Sequence, residues 1–165
     1  MHRMMGLILL ATCWTVGGCA AGQATVPNRL AETDTEQIMA VLDRYMDALN
    51  ALDLEGHLAT YHFPHYRHAS GEITIWETAQ DVSPLFRLPV SERRARLRSV
   101  LEPDWHHSEW TRREIVQGDE GKVHVVTRFE RRREDGSVIT AYDSLYVLTR
   151  AEGGWGIKGR SSFAP

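Results

Sequence analysis

The chain has 165 residues, of which 22 are acidic, 19 are basic and 42% are hydrophobic, a size and composition that suit one globular domain with its own core. With a net charge of −3 and no basic patch, the sequence predicts no nucleic-acid partner. Both cysteines, Cys13 and Cys19, lie near the N-terminus, so the main body of the chain has no disulfide and must draw its stability from its core.

The N-terminal stretch has the layout of a secretory leader. Arg3 supplies a positive charge, and the apolar run over 4–16 is shorter than the ~20 residues that span a bilayer. The run ends at Val16-Gly17-Gly18-Cys19, which resembles the lipobox of bacterial lipoproteins, where cleavage precedes the cysteine and acyl chains such as palmitate are attached to it. We predict a lipoprotein signal peptide over residues 1–18 and lipidation of Cys19. The alternative is an ordinary secretory leader with a chance cysteine.

The segment after the cysteine predicts a tether and a location. Residues 19–32 are small and polar, which is typical of a flexible linker to a folded domain over residues 33–165. In the lipoprotein family, Ala20 directly after the cysteine implies retention on the periplasmic side of the outer membrane if the source is Gram-negative. We therefore predict a cell-envelope protein that contacts the membrane through a lipid anchor.

Two helices are predicted at the start of the domain. Thr33 and Glu36 have the spacing of a capping box, and Asp53 is the predicted N-cap of a second, short helix. Helical spacing over about four turns predicts one apolar stripe. The stripe consists of Ile38, Val41, Leu42, Tyr45, Met46, Leu49 and Leu52, and the short helix turns Leu54, Leu58 and Tyr61 inward.

Residues 60–71, TYHFPHYRHASG, contain three histidines around Pro64. The stretch 62–69 predicts a bent strand, followed by a turn at Gly71 and a short strand or helix entry. Side chains alternate between faces in an extended chain. One face should carry His62, Pro64, Tyr66 and His68, and the other Phe63, His65 and Arg67.

From residue 106 onward the hydrophobic period becomes two. Strands are predicted over 106–117, 122–133, 138–149 and 155–163, with glycine-containing turns between them. Asp135-Gly136 predicts a tight hairpin that places Arg128 opposite Asp143. Helices followed by an antiparallel meander give an α+β fold class.

This register leaves both faces of the sheet apolar in the middle. A domain's own helices need cover only one face. We therefore predict a homodimer through the second face, the alternative being that the helices and the segment 77–105 cover both. Arg128 and Asp143 lie among aliphatic residues and form either a structural ion pair or the polar floor of a cavity.

Two segments of the chain resemble the nuclear transport factor 2-like superfamily, which includes the SnoaL-like and ketosteroid isomerase-like proteins. Residues 38–71 contain the pattern Y-x-x-A-x-N-x-x-D from Tyr45 to Asp53, and the last strand carries G-x-W-x-I from Gly153 to Ile157. The resemblance covers about residues 34–163. It implies a cone, in which N-terminal helices pack on a strongly bent antiparallel sheet around a pocket, and it leaves the chemistry open.

The histidine-rich segment allows several roles. Alternation keeps three ligands from one side, so we predict no metal site and no cofactor. The resemblance to ketosteroid isomerase-like members suggests a catalytic set of His68, Tyr45 and Asp143, with histidine in place of the family's carboxylate base. The ion pair with Arg128 would keep Asp143 ionised, which suits a dehydratase or hydrolase better than an isomerase. The remaining predicted pocket lining, which would contact a ligand, is His62, Tyr66, Trp76 and Arg128.

The leading functional hypothesis is a lipid-anchored envelope protein whose pocket binds a small apolar or polar metabolite, with turnover left open. One alternative is an enzyme of the dehydratase, isomerase or hydrolase kind that uses His68, Tyr45 and Asp143. Another is a scaffold that dimerises or docks a partner through its sheet.

Overall fold

The computed structural model of the protein describes residues 30–82, 88–99 and 101–164. The predicted leader and Cys19 lie outside these ranges, so lipidation and the envelope location stay predictions. Within the described ranges, no helix is both long and apolar enough to cross a membrane. The elements are α1 Glu32–Ala51, α2 Leu54–Leu58, β1 Tyr61–Ala69, β2 Glu72–Trp76, α3 Ala79–Val82, α4 Val90–Ser99, β3 His107–Gly118, β4 Lys122–Arg132, β5 Val138–Ala151 and β6 Gly154–Ser162.

The first helix follows the predicted stripe but not the predicted cap. Helix α1 begins at Glu32 after Ala31, which makes no side-chain cap, so the capping box between Thr33 and Glu36 is not formed. The buried face of α1 matches the apolar stripe from Ile38 to Met46. The stripe therefore fixes the orientation of the helix, whereas its start is set by tertiary contacts.

The N-terminus of α1 is fixed to the far end of the sheet by Asp34. Its carboxylate is buried and accepts a hydrogen bond of 3.1 Å from Trp155 Nε1. The same carboxylate pairs with Arg150 at 2.9 Å. At the other end, Asp53 caps α2 as predicted, by accepting a hydrogen bond from the backbone N–H of Gly56 at 3.0 Å. The contacts of Asp34 thus hold α1 against the sheet, and the Asp53 cap fixes the start of α2.

The six strands form one mixed sheet in the order β2-β1-β6-β5-β4-β3, strongly curled but not closed. The antiparallel meander from β3 to β6 is confirmed, as is the register that pairs Arg128 with Asp143. Strand β1 lies parallel to β6, so the sheet is not wholly antiparallel as the resemblance implied. The helices pack against its concave inner face, as expected for an α+β cone. The inner core includes Val123, Val125, Tyr146, Leu148, Trp155 and Ile157.

Two glycines on the outer face accommodate aromatic rings from β1. The ring of Tyr66 lies over Gly159, and that of His62 lies over Gly156, with His62 Nδ1 also 3.0 Å from Thr149 Oγ1. A Cβ atom built on Gly159 would stand 2.3 Å from the Tyr66 ring. The close approach of the ring requires glycine at this position.

We therefore expect Gly159→Ala to lower the free energy of unfolding by about 1–3 kcal/mol, the usual cost of overpacking. Urea unfolding is the measurement. Gly153→Ala is the matched control, because no heavy atom lies within 4 Å of a Cβ built there. In a Tyr66→Ala background the cost of Gly159→Ala should largely vanish. An equal cost in both backgrounds would contradict the assignment to ring contact.

Candidate functional site

Three tyrosines and one arginine meet between α1 and the inner face of the sheet. Tyr45 comes from α1, Tyr61 from β1, Tyr146 from β5 and Arg160 from β6, where it pairs directly with Tyr146. All three tyrosines are buried. Arg160 Nη1 donates a hydrogen bond of 2.7 Å to the Tyr45 hydroxyl, and the rings of Tyr45 and Tyr146 meet edge to face at 5.7 Å. These four residues form a polar group in an apolar core, and we call them the tyrosine–arginine cluster.

A β-bulge turns Arg160 toward the interior. Ile157 pairs with Leu148, but Gly159 pairs with Val147, so Lys158 is one extra residue in β6. Strict alternation from the buried Ile157 would have sent Arg160 to the outer face. Bulges re-aim side chains in this way and are frequent beside functional sites.

The Arg160 guanidinium carries a full charge in this setting. Burial lowers the pKa of Arg160, but the surrounding tyrosine oxygens outweigh that effect and raise the pKa above its ordinary value. Burial also raises the pKa of Tyr61 and of Tyr146, so both hydroxyls are neutral near pH 7. The tyrosines therefore orient the guanidinium without neutralising its charge.

A second arginine lies beside the first. Arg67 on β1 is the register partner of Arg160 on β6, so both side chains leave the sheet on the same face. Partial burial and the charge of Arg160 lower the pKa of Arg67. All 22 Asp and Glu residues lie in the described ranges, and none of them forms an ion pair with Arg67 or Arg160. Two half-buried arginines thus lie side by side on the inner face, and no acidic side chain forms an ion pair with either of them.

Several polar atoms around this point lack partners. Among the described residues, Arg160 Nε and the Tyr146 hydroxyl are buried without a well-formed hydrogen bond, although Tyr146 lies next to the guanidinium. Arg160 Nη1 is already engaged by Tyr45, and Nε is the guanidinium nitrogen that is buried without a well-formed hydrogen bond. Buried polar groups in native proteins are nearly always satisfied, so unsatisfied ones call for an explanation.

His57 completes the hydrogen bonding of Tyr61. His57 Nδ1 lies 3.3 Å from the backbone carbonyl of Tyr45, so Nδ1 carries the proton and donates. The other ring nitrogen, Nε2, is 3.3 Å from the Tyr61 hydroxyl and accepts from it. Burial, followed by the charge of Arg160, lowers the pKa of His57 to about 3. His57 is therefore a neutral, structural member of the site.

His65 is held rigidly and has one free acceptor. Its ring is 0% exposed and stacks on Tyr61, with 3.9 Å between centroids and 8° between planes, while Trp76 lies on a nearly parallel plane at 5.6 Å. Nδ1 is 3.0 Å from the carbonyl of Ile157 and therefore carries the proton. Burial above all lowers the pKa of His65 to about 4, so the ring is neutral near pH 7. Nε2 is left as a buried lone pair with no partner in the described residues.

The predicted catalytic set is not brought together. His68 and Asp143 are exposed on the outer face, whereas Tyr45 lies in the interior on the other side of the sheet. Asp143 pairs there with Arg128 at 2.8 Å, as an exposed ion pair rather than the floor of a cavity. Since the sheet separates them, His68 and Asp143 cannot contact a substrate that sits against Tyr45.

The predicted ligand-binding residues divide in the same way. His62, Tyr66 and Arg128 lie on the outer face, and Trp76 packs against the core beside His65. The alternation predicted for residues 62–69 is correct, but the face that enters the interior is that of His65 and Arg67. The signal available in the sequence was the spacing of His65 and Arg67, which lie two positions apart on the face shared with Tyr61.

No set of three His, Cys, Asp or Glu side chains within the described ranges is arranged to hold a metal ion. The interior donors described above are a guanidinium pair, neutral hydroxyls and neutral imidazoles. Such groups suit an anionic partner rather than a cation.

A family model described as "NTF2-like protein (DUF6841)" matches residues 34–161. A protein of unknown function with a cystatin-like fold from Nostoc punctiforme PCC 73102 is 16% identical, with a TM-score of 0.61 over 82% of this chain and 93% of that one. An NTF2-like protein from Novosphingobium aromaticivorans is 13% identical (TM-score 0.59, 79% and 81% covered). A ketosteroid isomerase-like protein from Erwinia carotovora atroseptica SCRI1043 is 17% identical (TM-score 0.55, 81% and 97% covered). At these identities the likeness shows the fold alone. No curated protein matches the chain.

Proposed function

The chain belongs to the NTF2-like family DUF6841, and we propose that it binds a small organic acid between α1 and the curved sheet. The observation that carries this proposal is the charge of Arg160 and Arg67, which no acidic side chain of the molecule balances. A carboxylate is the simplest group that supplies the missing negative charge and engages the Nε edge of Arg160 through two parallel hydrogen bonds.

Energetics favour a ligand over a purely structural role for these arginines. Taking one unpaired charge out of water costs several kcal/mol even after the surroundings relax. The hydrogen bond from Arg160 to the neutral Tyr45 hydroxyl contributes only about 1–3 kcal/mol. Because Arg160 is half-buried, only part of that desolvation cost applies to it, and a bound anion would offset this part.

The side chains around the tyrosine–arginine cluster indicate the chemistry of the rest of the ligand. Aromatic rings surround the tyrosine–arginine cluster: Tyr45 lies 6.2 Å from Trp110, and Tyr61 stacks on His65, which in turn faces Trp76. Flat, apolar walls around a few polar groups are typical of small-molecule sites. An aromatic or similarly compact carboxylic acid fits this chemistry.

Binding is better supported than turnover. General acid or base catalysis is most efficient when the pKa of the catalytic group lies near the working pH. The pKa of His65 is lowered to about 4 and that of His57 to about 3, so both are weak bases at pH 7. No carboxylate is described among the groups that contact the tyrosine–arginine cluster. The neighbour described as ketosteroid isomerase-like does not transfer its chemistry to this chain.

Charge selectivity tests the proposal. We expect benzoate to raise the melting temperature of the purified protein and to bind at least about tenfold more tightly than benzamide, which has the same shape without the charge. Calorimetric titration at pH 7 measures both affinities. The exposed Arg128 provides the matched control, so Arg128→Met should bind benzoate like the wild type. Equal affinities for benzoate and benzamide, or no binding of either, would contradict an anion site.

A further inference from the structure

Arg67 and Arg160 would bind the carboxylate of the proposed ligand, and His65 concerns a second polar group on the same molecule. His65, Arg67 and Ala69 alternate with the outward-facing His68 along β1, so His65 and Arg67 share the inner face two residues apart. Arg67 is in turn level with Arg160. A molecule bound to these guanidinium groups would therefore lie on the same side of the sheet as the His65 ring.

The His65 ring cannot reorient to satisfy Nε2 elsewhere. Nδ1 is tied to the carbonyl of Ile157 on the neighbouring strand, and the ring is fixed between Tyr61 and Trp76. The hydroxyl of Tyr61, whose ring stacks on His65, already donates its proton to His57 Nε2. Of the described groups, none donates to His65 Nε2, which is buried and can only accept.

From this geometry we infer that the bound acid carries a second polar group, a hydroxyl or N–H donor, whose proton His65 Nε2 accepts. The inference rests on the proposed function and narrows its ligand class to hydroxy- or amino-substituted organic acids. His65 acts here as a specificity-determining residue that selects the ligand without reacting with it. A site with a buried, unpaired acceptor discriminates strongly against ligands that lack the matching donor.

The test compares acids that differ only in the donor. We expect 3- or 4-hydroxybenzoate to bind at least about tenfold more tightly than the corresponding methoxybenzoate. The methoxy oxygen has no proton to donate, so it would leave His65 Nε2 buried without a hydrogen bond. Calorimetric titration of the purified protein at pH 7 measures the ratio for each isomer. The isomer whose hydroxyl reaches His65 Nε2 should show this tenfold preference over its methoxy counterpart.

Two variants of His65 separate the acceptor from the fold. His65→Asn keeps a donor near the Nδ1 position toward Ile157, and His65→Phe keeps the stacking with Tyr61 and Trp76. Both lack Nε2, so whichever of them folds should bind hydroxy- and methoxybenzoate with a ratio near one. His68→Asn, on the outer face of the same strand, should keep the wild-type ratio.

The outcomes distinguish the two claims. If benzoate binds in an Arg160-dependent manner but neither hydroxybenzoate is preferred over its ether, the inference about His65 is overturned and the anion site stands. A preference that survives in the folded His65 variants overturns it as well. If none of these acids binds, the proposed function fails and the inference fails with it.

Discussion

Arg160→Met is expected to abolish benzoate binding and, at the same time, to stabilise the ligand-free protein. The guanidinium is the central donor of the proposed site, so its loss should weaken benzoate binding about a hundredfold or more. In the absence of ligand, methionine removes an unbalanced charge from the interior and fills a similar volume with apolar atoms. Replacing a buried ion pair by apolar side chains is often neutral or stabilising by about 1–4 kcal/mol, and removing one unbalanced charge should act in the same direction.

One lost hydrogen bond opposes this stabilisation. Arg160→Met also removes the hydrogen bond to the Tyr45 hydroxyl, which costs about 1–3 kcal/mol if that hydroxyl finds no other partner. Tyr45 lies close to the Tyr61 and Tyr146 side chains, which offer replacements. We therefore expect a melting temperature equal to or a few degrees above that of the wild type.

Differential scanning calorimetry with and without benzoate measures both effects in one experiment. Wild-type protein should gain stability from benzoate by mass action, and Arg160→Met should gain none. Arg128→Met, which removes an exposed arginine from the outer face, is the control for loss of a positive charge. An Arg160→Met protein that melts well below the wild type and still responds to benzoate would make Arg160 a structural residue.

Mild acid should destabilise the protein steeply because His65 is buried in its neutral form. The folded pKa of about 4 lies below the ordinary value of 6.5, so the unfolded chain takes up a proton at a higher pH than the folded one does. The contribution of His65 to the free energy of unfolding is therefore fully present above pH 6.5 and is lost as the pH falls toward 4. Between these two pH values, His65 lowers the free energy of unfolding by about 1.4 kcal/mol for each unit that the pH falls.

Neighbouring charges and His57 act in the same direction. Arg160 and Lys158 lower the pKa of His65 further, since each disfavours a second positive charge nearby. The pKa of His57 is lowered to about 3, and its partly exposed ring should add a smaller contribution over the same range. Urea unfolding between pH 6.5 and 4.5 gives the free energy of unfolding at each pH.

His65→Asn isolates the contribution of one ring. Its slope should be lower than that of the wild type by about 1.4 kcal/mol per pH unit, whatever its absolute stability. His68→Asn, an exposed histidine of the same strand, is the matched control. A His65→Asn protein with the wild-type slope would show that His65 does not titrate in the way that its burial implies.

The sequence predicted the fold in considerable detail where local signals agree. The period of 3.6 oriented α1, Asp53 marked the start of α2, and Asp135-Gly136 fixed the register of the long hairpin down to the pair of Arg128 and Asp143. The parallel pairing of β1 with β6 was not predicted, because nothing local to either strand specifies a partner that lies some ninety residues away. This long-range pairing depends on the folding of the whole domain.

The residues of the candidate site were predicted less well than the fold. Alternation divided residues 62–69 into two correct sets, yet alternation alone does not say which set faces the helices, and His68 was placed inside in preference to His65. Arg160 was missed for a different reason: the extra residue Lys158 reverses the alternation of β6, and a bulge has no dependable signature in one sequence. As a result, the interior was expected to hold the carboxylate of Asp143, whereas it holds the guanidinium of Arg160.

The central claim is that Arg160 binds an organic anion, and a bromine-labelled acid tests it most directly. Crystals of the protein grown with 4-bromobenzoate should show an anomalous bromine peak between α1 and the sheet, with the carboxylate on the Nε edge of Arg160. In crystals of Arg160→Met the same peak should be missing. A bromine peak only on the outer face, beside Arg128, or one that persists in Arg160→Met, would contradict the account.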